Sequence, residues 1–165
     1  MNPERSETEP NRGGTGRDRK DPGPGRRICV DVGQARVGVA VSDPAPILAS
    51  PLTTLKRDKS RKSDLDELAE LVREYEVVEI VVGLPVTLAG RHGPAADMAR
   101  SYSDALNART GDVPVRLSDE RLTTVTATKV LSDRGIRGRR QRDVVDQAAA
   151  VEILQSWLDA RGRSE

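Results

Sequence analysis

The sequence predicts an α/β domain built on a mixed β-sheet. Three short apolar runs, at 27–33, 36–42 and about 47–55, follow one another with only turns between them, which is typical of an antiparallel meander. Segments of helical periodicity then alternate with two further strand-like runs, which indicates parallel strands joined by crossover helices. One of these runs, VVEIVVGLP, is apolar almost throughout and suits a central parallel strand covered on both faces.

The folded domain is predicted to span residues 26–160. Residues 1–25 hold no Leu, Ile, Val or aromatic residue and are rich in Gly, Pro and charge, so we expect a disordered N-terminal tail. Residues 161–165 are expected to form a short C-terminal tail. The length of 165 residues suits one domain with a sizeable core.

Three longer helices and one short helix are predicted. The first begins near Ser63, and its apolar residues recur on one face. The second begins at Pro94, because proline is favoured at the first helical position. A strand at 113–117, a short helix at about 123–132 and a last helix at about 143–160 complete the domain.

Composition excludes several function classes. The 27 basic residues balance 26 acidic ones, so a nucleic-acid surface would require local clustering. With no Phe, one Trp and two Tyr, a platform of aromatics for stacking bases is not expected. Cys29 is the only cysteine, which excludes an intrachain disulfide and fits a reducing cytoplasm. No apolar run approaches the roughly 18 residues of a membrane span, so we expect a cytoplasmic protein without membrane association.

Asp31 lies in the first strand, where an apolar residue is expected. Side chains alternate along a strand, so Asp31 shares a face with Cys29 and Gly33. Burying an unpaired carboxylate costs several kcal/mol. Asp31 therefore caps the turn as a strand-end acid, pairs with Arg36 across that turn, or binds a cation.

Two further acids occupy informative positions. Glu120 follows the strand 113–117, in a connection that faces the ligand crevice of open α/β sheets. As an alternative, Asp119 and Glu120 stabilise the dipole of the next helix. Asp146 lies on an apolar stripe of the last helix. If Asp143 is the N-cap, Asp146 instead completes a capping box, and Asp143 is itself a candidate fourth acid.

Three carboxylates brought together would repel one another unless a cation lay among them. Oxygen ligands suit Mg²⁺ or Mn²⁺. Two such ions about 3.5–4 Å apart would activate water and stabilise the leaving oxygen of a phosphodiester. Asp31, Glu120 and Asp146 are therefore candidate metal ligands and catalytic residues.

Four segments carry a family resemblance. They are DVGQARVGVAVSD (31–43), GLPVTLAG (83–90), DERLTT (119–124) and DQAAAVEIL (146–154). In this order they resemble the YqgF/RuvX family, described as Holliday junction resolvases or pre-16S rRNA processing nucleases, over about residues 27–160. The resemblance implies an RNase H-like fold, a five-stranded mixed sheet with helices on both faces. It also implies that Asp31, Glu120 and Asp146 are the acidic catalytic positions.

Other positions follow from the same resemblance. Arg36 and Arg121 match basic positions of the family, and Asp43 closes the first motif as a nearby acid. The loop GLPVTLAG is less rich in amides than that of the family. Asp143 resembles one of the paired acids of RuvC-type resolvases.

The segment SDRGIRGRRQR, 132–142, is strongly basic. Its position just before Asp146 suggests that its arginines lead substrate phosphates to the acids, whereas a solvated surface is the alternative. No base-reading module is present, so we expect recognition of shape and backbone. The arginines are Arg134, Arg137, Arg139, Arg140 and Arg142.

The sequence thus predicts a metal-dependent endonuclease, a monomer or homodimer, that acts on structured RNA such as pre-16S rRNA, at its 5′ end, or on branched DNA such as Holliday junctions. The alternative is a non-catalytic nucleic-acid-binding module on the same fold. An ATPase or sugar kinase is disfavoured, because Gln34 follows Gly33 where those proteins carry a hydroxyl residue. Cys29 is expected to be a buried thiol, with an oxidised dimer as the alternative, and His92 to be an exposed loop residue.

Overall fold

The computed structural model describes residues 21–85, 93–120 and 139–163, without the side chains of residue 120 and residues 139–143. Five strands and three helices lie within these ranges. They are β1 (Arg27–Val32), β2 (Arg36–Ser42), β3 (Ala49–Lys56), α1 (Ser63–Glu74), β4 (Glu79–Pro85), α2 (Pro94–Thr110), β5 (Val115–Glu120) and α3 (Arg139–Arg163).

The strands form one mixed sheet in the order β3-β2-β1-β4-β5. Neighbours among the first three strands of the chain are antiparallel, whereas β1, β4 and β5 are parallel. The meander and the parallel crossovers are confirmed, and the arrangement is the RNase H-like fold that the resemblance implies. β3 is an edge strand, as its prolines predict, and the β2–β3 register shifts at Val39/Ala40.

Helices cover both faces of the sheet, as predicted. Alternate residues of β1 such as Ile28 and Val30 join a large core that includes apolar residues of α1 and α2. The opposite face carries a smaller core, in which Cys29 and Ala40 pack with Ala150 and Leu154 of α3. Because small residues line this second core, α3 approaches the sheet closely. Cys29 is fully buried, as expected.

A buried ion network lies where β4 and β5 begin. Glu79 is 2% exposed, and its Oε1 accepts hydrogen bonds from Arg27 Nε at 3.3 Å and Trp157 Nε1 at 3.0 Å. Its Oε2 accepts a hydrogen bond from Arg116 Nε. Both arginines are also buried, so Glu79 pairs with two guanidinium groups in the interior.

Residues 21–25, assigned from the sequence to the N-terminal tail, contact the domain. Asp21 Oδ1 accepts a hydrogen bond from Arg27 Nη2 at 3.1 Å, and Asp21 Oδ2 accepts one from Arg161 Nε at 2.7 Å. Burial alone would raise the pKa of Asp21. The hydrogen bond from Arg161 and the other contacts together have the larger effect, so the pKa is lowered overall. Ordered contacts therefore extend N-terminal to Arg26.

The boundaries of two elements differ most from the prediction. The last helix begins at Arg139 rather than 143 and ends at Arg163 rather than 160, so it includes four residues of the predicted basic loop. Strand β5 ends at Glu120 rather than 117. Within the described chain, no helix combines the length and the apolar character needed to cross a membrane.

Candidate active site

Asp31 lies near the carboxyl end of β1 and is 6% exposed. In the β1–β2 ladder it stands directly opposite Gly38. Directly opposite residues of an antiparallel pair lie on the same face, with Cα atoms about 4.5–5.5 Å apart. Since Cys29 belongs to the core beneath α3, the alternation along β1 places Asp31 on the α3 face.

Gly38 is a point of very close approach between the sheet and α3. A Cβ atom at this position would lie 2.2 Å from the carbonyl oxygen of Asp146 and 3.2 Å from its Cβ. Only glycine leaves room for this approach. Because Asp31 and Asp146 both adjoin Gly38, the two acids lie close together.

Asp146 is 2% exposed and receives a hydrogen bond from Arg36, whose Nε lies 2.8 Å from Asp146 Oδ2. The next helix residue, Gln147, donates from Nε2 to Thr54 Oγ1 on β3 at 3.0 Å. Thr54 stands opposite Gly38 in the β2–β3 ladder. The part of α3 around Asp146 is therefore fixed to the sheet at the level of Asp31.

Asp143 and Asp146 do not form the capping box considered from the sequence. The helix begins at Arg139, which makes Asp143 its fifth residue and Asp146 its eighth. A capping box requires the first acid at the N-cap and the second three residues later. That interpretation is wrong, because the helix has already begun one turn earlier. The side chain of Asp143 lies outside the described residues.

Glu120 is the last residue of β5 and pairs with Pro85 of β4. It therefore lies on the strand itself, not in the connection after it. Its backbone is at the carboxyl end of the parallel part of the sheet, the end at which ligands bind in open α/β sheets. Its side chain is not described, and among the described residues no three His, Cys, Asp or Glu side chains are grouped to hold a metal ion.

The structure does not bring Asp43 to the two buried acids. Asp43 follows β2 five residues after Gly38, about 16 Å along the strand direction. Its Oδ1 accepts hydrogen bonds from the backbone N–H groups of Ile47 and Leu48, which lower its pKa. Asp43 thus stabilises the turn between β2 and β3, and it is not the nearby acid expected from the first motif.

Most of the predicted basic residues cannot be placed in the site. Arg121, Arg134, Arg137 and His92 lie outside the described residues. The backbones of three others are helical at the start of α3, with side chains that are not described: Arg139, Arg140 and Arg142.

Sequence reasoning missed Gly38 as a residue of the site. The signal was present, because a glycine within a β-branched strand indicates a close approach of another backbone. The partner was not evident, since Asp146 lies 108 residues further along the chain. It also missed the run KRDKSRK after β3, whose charge density is visible in the sequence.

Comparison with known proteins agrees with the predicted family. A family model described as RuvX, Holliday junction resolvase, matches residues 25–160. A protein of Rhodococcus opacus (strain B4) named "Putative pre-16S rRNA nuclease" is 53% identical over 147 residues, covering 87% of this chain and 83% of the relative. A protein of Mycobacterium bovis (strain BCG / Pasteur 1173P2) with the same name is 57% identical over 141 residues, covering 86% and 82%. The prediction of the family, and of a nuclease within it, is confirmed by these names.

Solved structures were also matched. RuvC of Thermus thermophilus in complex with a Holliday junction substrate has a TM-score of 0.49 and 14% sequence identity, covering 83% of this chain and 95% of that chain. A second structure of Thermus thermophilus RuvC has a TM-score of 0.47 and 13% identity, covering 82% and 95%.

Proposed function

Because the chain belongs to the RuvX family of Holliday junction resolvases, we propose that it is a metal-dependent endonuclease that cleaves phosphodiester bonds in structured nucleic acid. The observation that carries this proposal is that two buried acids, Asp31 and Asp146, both adjoin Gly38. Two acids at one point of an interior are costly unless positive charge balances them.

The residues fit a divalent cation. The described donors are carboxylate oxygens, which Mg²⁺ and Mn²⁺ prefer, and both acids are held by secondary structure rather than by loops. Asp31, Glu120 and Asp146 would hold the metal. When bound, it supplies positive charge for the phosphate and activation of water for attack.

Arg36 balances the charge of Asp146, and we propose that it also contacts the substrate. Its Nε donates to Asp146 Oδ2, and its side chain is 22% exposed, so a phosphate at the entrance of the site would meet a positive charge there. The arginines of 132–142, which lead into α3, are proposed to contact phosphates further along the backbone. These contacts would select the shape of the nucleic acid rather than its sequence.

The first candidate substrate is the precursor of 16S rRNA, processed at its 5′ end, because the relatives at 53–57% identity carry that name. The second is the Holliday junction, because the family model carries that description. Both substrates present a phosphodiester of the same chemistry to the acids.

The test is cleavage by the purified protein of a pre-16S RNA fragment and of a four-way DNA junction. Cleavage in Mg²⁺ or Mn²⁺ that stops in chelator, and that both Asp31→Asn and Asp146→Asn abolish, would support the proposal. Cleavage that persists in both variants would reveal a contaminating nuclease or a different site. Tight, salt-sensitive binding without cleavage of either substrate would instead favour the non-catalytic binding module.

A further inference from the structure

A second basic segment begins at the last residue of β3, far in sequence from the arginine-rich segment 132–142. The run KRDKSRK, 56–62, holds five basic residues and one acid, a net charge of +4. We call residues 57–62 the β3–α1 loop. We infer that this loop is a binding surface for the phosphate backbone of a nucleic acid, beside the two buried acids.

The topology places this loop at the acid site. β3 is antiparallel to β2, and β2 is antiparallel to β1, so β3 and β1 end on the same side of the sheet. Lys56, the last residue of β3, stands opposite Arg36, the residue that holds Asp146. Opposite residues of this kind lie about 5 Å apart, so the basic surface is continuous with the site.

Two hydrogen bonds join the loop to the turn between β1 and β2. The backbone N–H of Arg57 donates to the carbonyl oxygen of Ala35 at 2.9 Å. Arg57 Nη1 donates to the carbonyl oxygen of Gly33 at 3.2 Å. The guanidinium also lies over the ring of Tyr102, 5.2 Å from its centroid. The loop is thus fixed to the turn that separates Asp31 from Arg36.

The single acid of the loop orders it. Asp58 Oδ1 accepts hydrogen bonds from the backbone N–H groups of Ser60 and Arg61, and Oδ2 accepts one from Ser63 Oγ at 2.7 Å. The backbone N–H of Lys62 closes the turn on the carbonyl oxygen of Asp58 at 2.9 Å. Asp58 is therefore engaged within the loop and does not pair with its lysines or arginines.

The outward side chains of the loop are available cations. Lys59, Arg61 and Lys62 are exposed, and within the described part of the chain no acid forms an ion pair with any of them. Lysine and arginine bind phosphate as charge and as hydrogen-bond donors, without reading bases. A nucleic acid whose cleaved phosphate lies at Asp31 and Asp146 would pass its flanking phosphates over these residues, so the inference rests on the proposed function.

The test compares two double variants that each remove two positive charges. Lys59→Ser with Arg61→Ser alters the loop, where neither side chain makes a described contact. Arg73→Ser with Arg163→Ser is the matched control, since Arg73 lies near the far end of α1 and Arg163 at the far end of α3, about 25 Å along the helix from Asp146. Thermal unfolding of all three proteins confirms that they are folded.

Binding is measured in chelator, over a salt series, with a fluorescein-labelled RNA duplex and a labelled four-way DNA junction. For the duplex, we expect the slope of log binding constant against log salt concentration to be shallower by about 1.8 in the loop variant. We also expect this variant to bind at least about tenfold more weakly at ~0.1 M salt. The control keeps the wild-type slope. The probe with the larger loss identifies whether RNA or DNA occupies the surface.

An unchanged slope in the loop variant would overturn the inference, even if the protein cleaves in Mg²⁺. A shallower slope in the loop variant, together with a wild-type protein that binds but never cleaves, would support the surface and contradict the proposed nuclease. Absence of salt-dependent binding by the wild type on both probes would overturn the surface.

Discussion

Gly38 and Asp146 approach so closely that no side chain fits between strand and helix: a Cβ on Gly38 would lie 2.2 Å from the carbonyl oxygen of Asp146. This contact limits how closely α3 can approach β2. Asp31 stands opposite the same glycine. The separation of the two acids therefore depends on one missing methyl group.

Gly38→Ala should push α3 from the sheet. We expect a loss of about 1–3 kcal/mol in the free energy of unfolding, because a methyl group is forced into a packed contact, together with a fall in cleavage rate. Gly162→Ala in α3 is the control, since no atom lies within 4 Å of the Cβ that this substitution adds. Urea unfolding and single-turnover cleavage measure both effects. A Gly38→Ala protein with wild-type stability and rate would show that the contact does not position the site.

Arg36→Gln removes the guanidinium that balances Asp146. In chelator we expect a loss of about 1–3 kcal/mol of stability, since the carboxylate is 2% exposed. Mg²⁺ should raise the melting temperature of the variant more than that of the wild type, because the guanidinium no longer competes for Oδ2. Arg73→Gln, which breaks an exposed pair with Glu70, should change stability by less than about 0.5 kcal/mol. A smaller Mg²⁺ effect in Arg36→Gln than in wild type would contradict this role.

Glu79→Gln leaves two buried arginines without their shared carboxylate. We expect the free energy of unfolding to fall by about 3–5 kcal/mol, the usual effect of removing one partner of a buried ion pair. Trp157 is the only tryptophan and donates to Glu79, so its fluorescence reports unfolding at the network. Glu70→Gln, at a carboxylate 77% exposed, is the matched control. Equal stability of the two variants would mean that the network contributes nothing to the fold.

The stabilisation that Asp58 gives through the β3–α1 loop should depend on pH. Hydrogen bonds from the backbone of Arg61 and from Ser63 lower the pKa of Asp58 to about 2, below its ordinary value of 3.8. A carboxylate with a lowered folded-state pKa stabilises the protein above the unfolded pKa and loses that effect as the pH falls through the folded value. Asp58→Asn should therefore be less stable than wild type at pH ~6, and the difference should shrink as the pH falls towards ~2. A difference that is the same at both pH values would contradict the ionised carboxylate as its cause.

Much of the sheet was predictable because its strands are rich in β-branched residues. The alternation along β1 placed Asp31 on one face, and the unbroken run of β4 indicated burial on both faces. These are local signals, carried by a few neighbouring residues. The family motifs then indicated that Asp31 and Asp146 belong to one site, which their separation in sequence conceals.

The boundary of α3 was not predictable in the same way. Its first turn carries arginines and no acid, which is unfavourable for the dipole at the start of a helix. Gly138 precedes these arginines, and glycine favours loops, so the sequence predicts a loop here. Similarly, Glu79 in an apolar run gave no indication of its partners. Arg27 and Arg116 are 52 and 37 residues away, and only the parallel pairing of the strands brings them together.

The most direct test of the account is a double-mutant cycle on cleavage rate, with Asp31→Asn, Asp146→Asn and the double variant, and with the exposed Asp104→Asn as control. When two residues act as one catalytic unit, removing either of them costs about as much rate as removing both. We predict that each single variant loses at least about a hundredfold in single-turnover rate and that the double variant loses no more than the worse single one. Losses that multiply in the double variant, or a wild-type rate in either single variant, would contradict a shared site.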